Sequence, residues 1–301
     1  MWRKIPRKIE AYFTYFVISF KWIILGKYTN GICNDKYDAE LIVSLTTYPK
    51  RVKYVSKAIR SLLMQSMKPN RIILWLSDSE FPKREEQLPK KLLALKENGL
   101  EIRWCDQLYS FKKLVPTIKN FPNANIVTAD DDLIYRHTWL ADLYEAHLDH
   151  PNLICAHRVT KIIYENGYKT VVGGYDCWRF PCYLNKLTSG AGVLFPPGSL
   201  YKDVCDDKIF LDICKTNDDI WFWDMGILQG IKVCPVLKKK HLNLIIIRSA
   251  QKCGSLSKIN DFGEKRFWKD FNSMTTYYDQ IDRILREEQK RILNKELGDL
   301  I

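Results

Sequence analysis

The chain has 301 residues, of which 46% are hydrophobic and 27% are charged, and its formal net charge is +12. This composition is typical of soluble globular proteins and excludes a collagen-like, a disordered or a multi-span membrane protein. The basic excess favours phosphorylated ligands or an anionic membrane face as partners. A nucleic-acid partner is not expected, because the sequence has no clustered basic stripe with a docking motif.

The first 30 residues combine basic and aromatic side chains. Residues 11–25 read AYFTYFVISFKWIIL, with Lys21 inside the run and Lys27 after it. A membrane-spanning helix needs about 20 predominantly apolar residues, so this shorter, charged run favours a helix that lies in the headgroup layer of an anionic membrane. An ordinary helix packed on the domain is the alternative, and a signal peptide is disfavoured because no convincing cleavage site follows.

The nine cysteines are odd in number and include no C-x-x-C pair. Most lie beside apolar residues, which is typical of small buried side chains in a reducing compartment and not of a zinc site. Together with the basic, aromatic N-terminal segment, this predicts a cytoplasmic protein that is peripheral on the inner face of the cell membrane.

Strand-like and helix-like segments alternate after a polar linker at 28–39. The apolar patterns predict strands at 40–45, 71–77, 100–104 and 125–129, and helices at 53–65, 89–98, 111–120 and 139–150. This alternation indicates βαβ units, and hence an α/β fold with a mainly parallel sheet and helices on both faces. Ligands of such sheets bind beyond the carboxyl ends of the strands.

The pattern is looser after residue 150. It predicts a strand within 152–159, a hairpin at 164–174 around Asn166-Gly167, a helix at 218–229, a strand at 230–235 and an amphipathic helix at 275–297. The last helix is expected to pack on the domain, with contact to a partner or to the membrane as the alternative. The predicted organisation is therefore a membrane-associating segment (1–30), a catalytic domain (40–250) and a C-terminal loop and helix (251–301).

Three consecutive aspartates, Asp130, Asp131 and Asp132, follow the predicted fourth strand directly. Adjacent anions repel one another, and a divalent cation completed by diphosphate oxygens removes that repulsion. Residues two apart in an extended segment point the same way, so Asp130 and Asp132 are expected to converge. We favour a metal-diphosphate site over a loop in which aspartates only support turns.

A second acidic pair, Asp218 and Asp219, begins the predicted helix at 218–229. Carboxylates in a first turn interact favourably with the helix dipole, but a carboxylate here is also suited to act as a general base. The glycine-rich turn at 189–192 either lets the backbone approach phosphate or sugar closely or is a plain tight turn. Trp178 and Trp221 flank these segments, and they suit either sugar stacking or core packing.

Three stretches together resemble the GT-A glycosyltransferases, and among them the bacterial family 2-like enzymes of surface polysaccharide synthesis. They are the strand followed by Asp-x-Asp, the first-strand loop VSLTTYPKR (43–51) and the segment SLLMQSMKP (61–69). The resemblance spans roughly 40–260 and implies the GT-A fold and a nucleoside diphosphate sugar donor, with a UDP-sugar favoured. It also implies Mn²⁺ or Mg²⁺ as cofactor, and transfer, with inversion favoured, to a hydroxyl of a bacterial surface glycan or lipid-linked saccharide.

The resemblance also implies roles for individual residues. Asp132 and Asp130 would hold the metal, with His241 as a further ligand whose local sequence does not match the family pattern firmly. Asp219 would be the catalytic base, Asp218 would orient the acceptor, and Trp178 and Trp221 would contact it. The nucleotide-sugar would be bound by Thr46, Thr47, Pro49, Arg51, Asp78, Lys113, Asp130, Asp131, Gly190, Ala191 and Gly192.

Two other functions stay open at this point. A sugar nucleotidyltransferase shares the α/β layout and the metal carboxylates, but it usually opens with a glycine-rich phosphate loop, which the segment at 46–49 is not. A non-catalytic, membrane-peripheral carbohydrate-binding protein is the second alternative, and the intact acidic clusters argue against it.

Overall fold

A computed structural model gives the structure of this protein. It describes residues 16–17, 20, 22–24, 26, 30–35, 37–165, 167–171, 177–237, 244–254 and 266–298, without the side chains of 167–171 and 295–298.

The strands are β1 (Leu41–Thr46), β2 (Arg71–Ser77), β3 (Leu100–Cys105), β4 (Asn125–Ala129), β5 (Leu133–Tyr135), β6 (Ile154–Ala156), β7 (Val159–Glu165), β8 (Gly167–Val171), β9 (Asn185–Leu187), β10 (Val193–Phe195), β11 (Val233–Pro235) and β12 (Leu244–Ile246). The α-helices are α1 (Val52–Leu63), α2 (Lys90–Leu93), α3 (Val115–Asn120), α4 (Trp139–Asp149), α5 (Asp207–Ile213), α6 (Asp218–Leu228), α7 (Arg248–Gln251), α8 (Arg266–Tyr277) and α9 (Gln280–Gly298). Short 3₁₀ helices span Arg84–Gln87, Ala94–Asn98, Tyr109–Lys113, Ser189–Ala191 and Lys202–Cys205.

Seven strands form the central sheet, in the order β11-β6-β10-β4-β1-β2-β3. Strands β1 to β4 are parallel, and β10 runs antiparallel to both of its neighbours, β4 and β6. The mainly parallel α/β sheet predicted from the sequence is therefore confirmed.

Both faces of this sheet are buried. Along β1, Ile42 belongs to the apolar cluster on one face, whereas Leu41, Val43 and Leu45 belong to the cluster on the other. Successive side chains of a strand point to opposite faces, so a strand covered on both sides needs a continuous apolar run. This is why LIVSL reads as an uninterrupted buried strand.

Several predicted helices are divided or shifted. The predicted helix at 111–120 is a 3₁₀ helix up to Lys113 followed by α3, which has a proline in its first turn. Such a proline is favoured only where a helix starts, because it lacks the amide hydrogen. The predicted helix at 275–297 begins within α8 and continues as α9. Phe271 of α8 and Ile281 and Leu285 of α9 are buried in the same apolar cluster as the side chains of α6.

The predicted hairpin is present where the structure describes it, because β7 and β8 pair antiparallel with Glu165 opposite Gly167. Asn166 and residues 172–174 of the predicted hairpin lie outside the described residues. The small strands β5 and β12 pair with each other, and β9 pairs with β7 in a three-stranded sheet. All nine cysteines are free thiols.

The described part of the N-terminal segment has two different faces. Residues 16, 17, 20 and 22–24 are helical, and Phe16, Phe20, Ile23 and Ile24 are exposed. Trp22 instead packs on the domain, with the guanidinium of Arg60 at 5.3 Å from its ring centroid. No helix among the described residues is long and apolar enough to span a bilayer.

Candidate active site

The two acidic groups and the glycine-rich turn lie at one edge of the sheet. Asp130–Asp132 follow the carboxyl end of β4, and Thr47 follows that of β1. Because β10 is antiparallel to β4, with Val193 opposite Thr128, the turn that precedes β10 lies at the same edge. The hydroxyl of Thr128 donates a hydrogen bond to the carbonyl of Ser189 at 2.8 Å and fastens the turn to β4.

Arg51 holds the second and third aspartates. Its Nη1 lies 2.7 Å from Oδ1 of Asp131 and 3.1 Å from Oδ2 of Asp132, and the hydroxyl of Thr47 donates to Asp131 at 2.6 Å. Burial acts to lower the pKa of Arg51, but the two carboxylates outweigh it and raise that pKa. Arg51 therefore stays positively charged. Asp131 is a buried carboxylate that Arg51 and Thr47 hold in place.

Lys113 joins the two acidic groups. Its Nζ lies 2.8 Å from Oδ1 of Asp130 and 3.1 Å from Oδ2 of Asp218, and the residue is only 5% exposed. Burial acts to lower the pKa of Lys113, but Asp130, Asp218 and Asp219 together raise it. A permanently charged lysine thus connects segments that are distant in the sequence.

Ser189 distinguishes the two carboxylates at the start of α6. Its backbone N–H donates to Oδ1 of Asp219 at 2.8 Å, and its hydroxyl lies 2.5 Å from the same oxygen and 3.2 Å from Oδ2 of Asp218. Burial acts to raise the pKa of Asp219, but Lys186, Lys113 and Ser189 outweigh it and lower that pKa. Burial raises the pKa of Asp218. The charge of Lys113 acts to lower this pKa and the charge of Asp219 acts to raise it, and the net result is a raised pKa.

The glycine-rich turn is shaped by close contacts. A Cβ on Gly190 would lie 1.8 Å from Oδ2 of Asp130, so only glycine lets the turn approach that carboxylate. Gly192 has a φ of +113°, which L side chains rarely adopt. The hydroxyl of Tyr135 donates to the carbonyl of Gly190 at 2.8 Å and accepts from the backbone N–H of Asp130 at 2.6 Å, which holds the turn against the acidic loop.

The charges of this site suit a hard divalent cation. Arg51, Lys113 and Lys186 face the five carboxylates of Asp130, Asp131, Asp132, Asp218 and Asp219, which leaves an excess of two negative charges. Burial, and then the neighbouring charge of Asp130, raise the pKa of Asp132 to about 6. A cation with oxygen ligands would relieve this repulsion.

Within the described ranges, no three His, Cys, Asp or Glu side chains are arranged to hold a metal ion. His241, the further ligand that the resemblance implies, lies outside the described residues.

Other predicted residues border this group. The hydroxyl of Thr46 donates to the carbonyl of Trp75 at 2.8 Å, and Pro49 is exposed in the turn before α1. Asp78 follows β2 and accepts from Nε of Arg84 at 2.8 Å. These residues lie at the carboxyl edges of β1 and β2, where the resemblance expects the nucleotide.

The two tryptophans assigned to the acceptor are core residues in this structure. Trp221 is 0% exposed, and its indole N–H donates to the carbonyl of Val204 at 3.1 Å. Trp178 is 9% exposed, and Nζ of Lys161 lies 4.0 Å from its ring centroid. A sugar ring stacks on an accessible aromatic face. Neither tryptophan offers such a face, so the expected acceptor contacts of Trp178 and Trp221 are not formed by this arrangement.

Three residues that hold the site together were not predicted from the sequence: Ser189, Tyr135 and Lys186. Ser189 is the first residue of the glycine-rich turn, and that position is the only sequence signal for it. Tyr135 and Lys186 act through contacts between segments that are distant in the sequence, which a single sequence does not expose.

No protein family and no curated protein matches the chain. Among solved structures, it is similar to the 1–349 fragment of S. aureus TarS, with 14% identity, a TM-score of 0.46, and 79% of this chain and 72% of that chain covered. It is also similar to PcManGT, a mannosyltransferase from Pyrobaculum calidifontis in complex with GDP-Man and Mn²⁺, with 8% identity, a TM-score of 0.45, and 78% and 68% covered. The TarS fragment in complex with UDP gives 14% identity, a TM-score of 0.43, and 66% and 58% covered. Likenesses at this level establish neither activity nor ligand.

Proposed function

We propose that this protein is a metal-dependent glycosyltransferase with a GT-A fold. It would transfer a sugar from a nucleoside diphosphate sugar, with a UDP-sugar favoured, to a hydroxyl of a bacterial surface glycan or lipid-linked saccharide. The observation that carries the proposal is the bridge from Asp130 through Lys113 to Asp218. It brings an acidic loop suited to a metal and a diphosphate together with a carboxylate pair suited to activate a hydroxyl.

The donor would bind on the side of β1 and β4. Asp130 and Asp132 would hold Mn²⁺ or Mg²⁺, which neutralises charge on a departing nucleoside diphosphate. Arg51 and Thr47 fix Asp131 and so keep the acidic loop in place. The backbone at Gly190 would lie next to the donor, because glycine has no side chain to keep the turn away from Asp130.

The acceptor would be activated by Asp219. Its pKa is lowered, so the carboxylate is ionised near neutral pH and able to accept a proton. In the part of the chain that the structure describes, the hydrogen bonds to Asp219 fall on Oδ1, and the residue is less buried than Asp218. Asp218 is held by Lys113 and would orient the acceptor. A base on the acceptor side favours inversion at the anomeric carbon.

A donor panel tests this proposal. The purified protein is assayed for release of nucleoside diphosphate from UDP-, GDP- and dTDP-sugars, with Mn²⁺ or Mg²⁺ and with EDTA, in the presence of simple saccharide acceptors. We expect Asp219→Asn to bind donor normally but to lower kcat by about 10²–10⁴-fold, as loss of a general base does. Asp132→Ala is expected to abolish the metal dependence of donor binding measured by calorimetry.

Each alternative gives a different result when a second set of reactions contains a sugar 1-phosphate and a nucleoside triphosphate, and when glycan binding is measured in parallel. A sugar nucleotidyltransferase would instead consume a sugar 1-phosphate and a nucleoside triphosphate and release pyrophosphate. Glycan binding without turnover of any donor would indicate a carbohydrate-binding protein. A near-normal kcat for Asp219→Asn would exclude this residue as the base.

We also propose that the N-terminal segment contacts an anionic membrane, which would place the protein on the inner face of the cell membrane. Four exposed apolar side chains support this, namely Phe16, Phe20, Ile23 and Ile24. Their spacing puts them on one face of a helix, and the sequence around them is basic. In this proposal 1–30 is the membrane-associating segment, 40–250 the catalytic domain and 251–301 the C-terminal part that packs on it.

A further inference from the structure

Tyr109 has an unusual backbone and an exposed ring. Its φ is +50°, in the left-handed region that a bulky aromatic residue rarely occupies, and the residue is 41% exposed. Residues held in such backbone conformations cluster at active sites and ligand clamps, where the surroundings fix them. The amide N–H of Tyr109 donates to the side chain of Gln107 at 3.1 Å, which helps to hold this turn.

Two links place Tyr109 beside the acidic pair. It begins the five-residue 3₁₀ helix that ends at Lys113, the lysine that contacts both Asp130 and Asp218. Tyr109 is therefore four residues from the lysine that bridges the two acidic groups.

The second link comes from the other side of the site. Nζ of Lys215 lies 5.2 Å from the centroid of the Tyr109 ring, and Lys215 is three residues before Asp218. The ring thus connects the segment that carries Lys113 with the loop that leads into α6. One contact with a cation leaves the ring accessible, as its exposure shows.

We propose that Tyr109 is the stacking platform for the acceptor saccharide and a determinant of acceptor specificity. A pyranose ring presents C–H groups on one face and hydroxyls around its edge, so it suits an aromatic face next to carboxylates. This inference rests on the proposed function. It assigns to Tyr109 the role that Trp178 and Trp221, buried in the core, do not fulfil.

Another exposed aromatic provides the matched control. Tyr277 is 58% exposed and lines an open groove of about 720 Å³ with Ile213, Lys269, Asn272, Ser273 and Thr276. This groove lies between α5 and α8. A saccharide bound there would be sensitive to Tyr277→Ala and not to Tyr109→Ala.

The experiment compares transfer to saccharides with transfer to water. Tyr109→Ala is expected to raise KM for a saccharide acceptor at least tenfold, while the KM for donor and the slow hydrolysis of donor stay at wild-type values. Tyr109→Phe and Tyr109→Trp should keep the wild-type KM, because they retain an aromatic face. Tyr109→Gly should match Tyr109→Ala in KM but melt at or above the wild-type temperature, because glycine adopts a positive φ without strain.

A binding readout separates this inference from the proposed function. Saturation-transfer NMR with a panel of methyl pyranosides, in the presence of UDP and the diamagnetic Mg²⁺, reports contact with the protein whether or not any donor turns over. Loss of the saccharide signal in Tyr109→Ala, with retention in Tyr277→Ala, supports the platform even if no transferase activity is found. An unchanged signal and KM in Tyr109→Ala, or a loss confined to Tyr277→Ala, would overturn it.

Discussion

Ser189 gives the two carboxylates at the start of α6 different surroundings, and the proposed role of Asp219 as the base depends on that difference. It donates two hydrogen bonds to one oxygen of Asp219 and so favours the ionised form of that residue. Asp218 lies instead against Lys113 and is more deeply buried. Adjacent residues of the same type thereby acquire different chemistry from their partners.

The pH dependence of transfer should follow this hydrogen bond. Ser189→Ala removes the hydroxyl that lowers the pKa of Asp219, so that pKa rises and the carboxylate takes up a proton at a higher pH. The acid limb of the kcat profile should therefore move to higher pH, by about one unit for a hydrogen bond worth about 1.4 kcal/mol. Ser199→Ala, which changes another buried serine, should leave the limb where it is. Coincident profiles for wild type and Ser189→Ala would refute the assignment.

The close approach of Gly190 to Asp130 can be tested by a single substitution. In Gly190→Ala the new methyl group would lie 1.8 Å from Oδ2 of Asp130, so the carboxylate must move away from Lys113 or the turn must shift. We expect at least a tenfold loss of metal-dependent UDP affinity, measured by calorimetry.

The control for this variant is Gly198→Ala. Gly198 has a φ of +69° and no heavy atom within 4 Å of the added Cβ. Its substitution should cost about 1–2 kcal/mol of stability through backbone strain and leave nucleotide affinity unchanged. Equal losses of affinity in the two variants would indicate a general loss of folded protein and not a specific contact at Asp130.

At the level of elements, the C-terminal helices are part of the core that supports α6. Leu285 of α9 and Phe271 of α8 belong to the same buried cluster as Trp221 and Trp223 of α6. The helix α6, which begins with Asp218 and Asp219, is therefore held in place by its packing against α8 and α9.

This packing predicts a large effect of a remote substitution. Leu285→Ala should lower the free energy of unfolding by about 2–5 kcal/mol, because it empties a fully buried site. Leu293→Ala, on the same helix but 44% exposed, should change it by less than about 0.5 kcal/mol. Denaturant unfolding of both variants measures the difference. Similar small effects would show that α9 contributes little to the support of α6.

The same elements show what a sequence can and cannot predict. Strands β1 to β4 were predicted within a residue or two, because buried parallel strands are continuous apolar runs that local patterning reveals. The three-residue strands β5 and β12 were not predicted, since their pairing depends on partners more than 100 residues away. Asp130, Asp131 and Asp132 were proposed from their position after a strand, and Asp218 and Asp219 from their position at the start of a helix. The exposed ring of Tyr109 and the burial of Trp221 are instead consequences of tertiary packing.

At the scale of the whole molecule, charge and apolar surface coincide at the N-terminal segment. Trp22 packs on the domain, and the guanidinium of Arg60 lies over its ring. The rings of Phe16 and Phe20 stack on each other, with their centroids 5.9 Å apart, and both residues are exposed. One face of the helix is thus anchored to the protein and another is available to a bilayer. An enzyme held in this way would meet lipid-linked acceptors at the membrane surface.

Vesicle sedimentation tests this arrangement. The wild-type protein should pellet with vesicles that contain phosphatidylglycerol and much less with phosphatidylcholine alone, because basic residues add attraction to anionic lipid. The triple variant Phe16→Ser, Phe20→Ser and Ile23→Ser should bind at least tenfold more weakly, since each apolar side chain contributes about 1.5 kcal/mol or more when it is buried. Leu148→Ser, at an exposed apolar residue elsewhere, should bind as the wild type does. If the triple variant pelleted as fully as the wild type, the exposed face of this helix would not be the membrane contact.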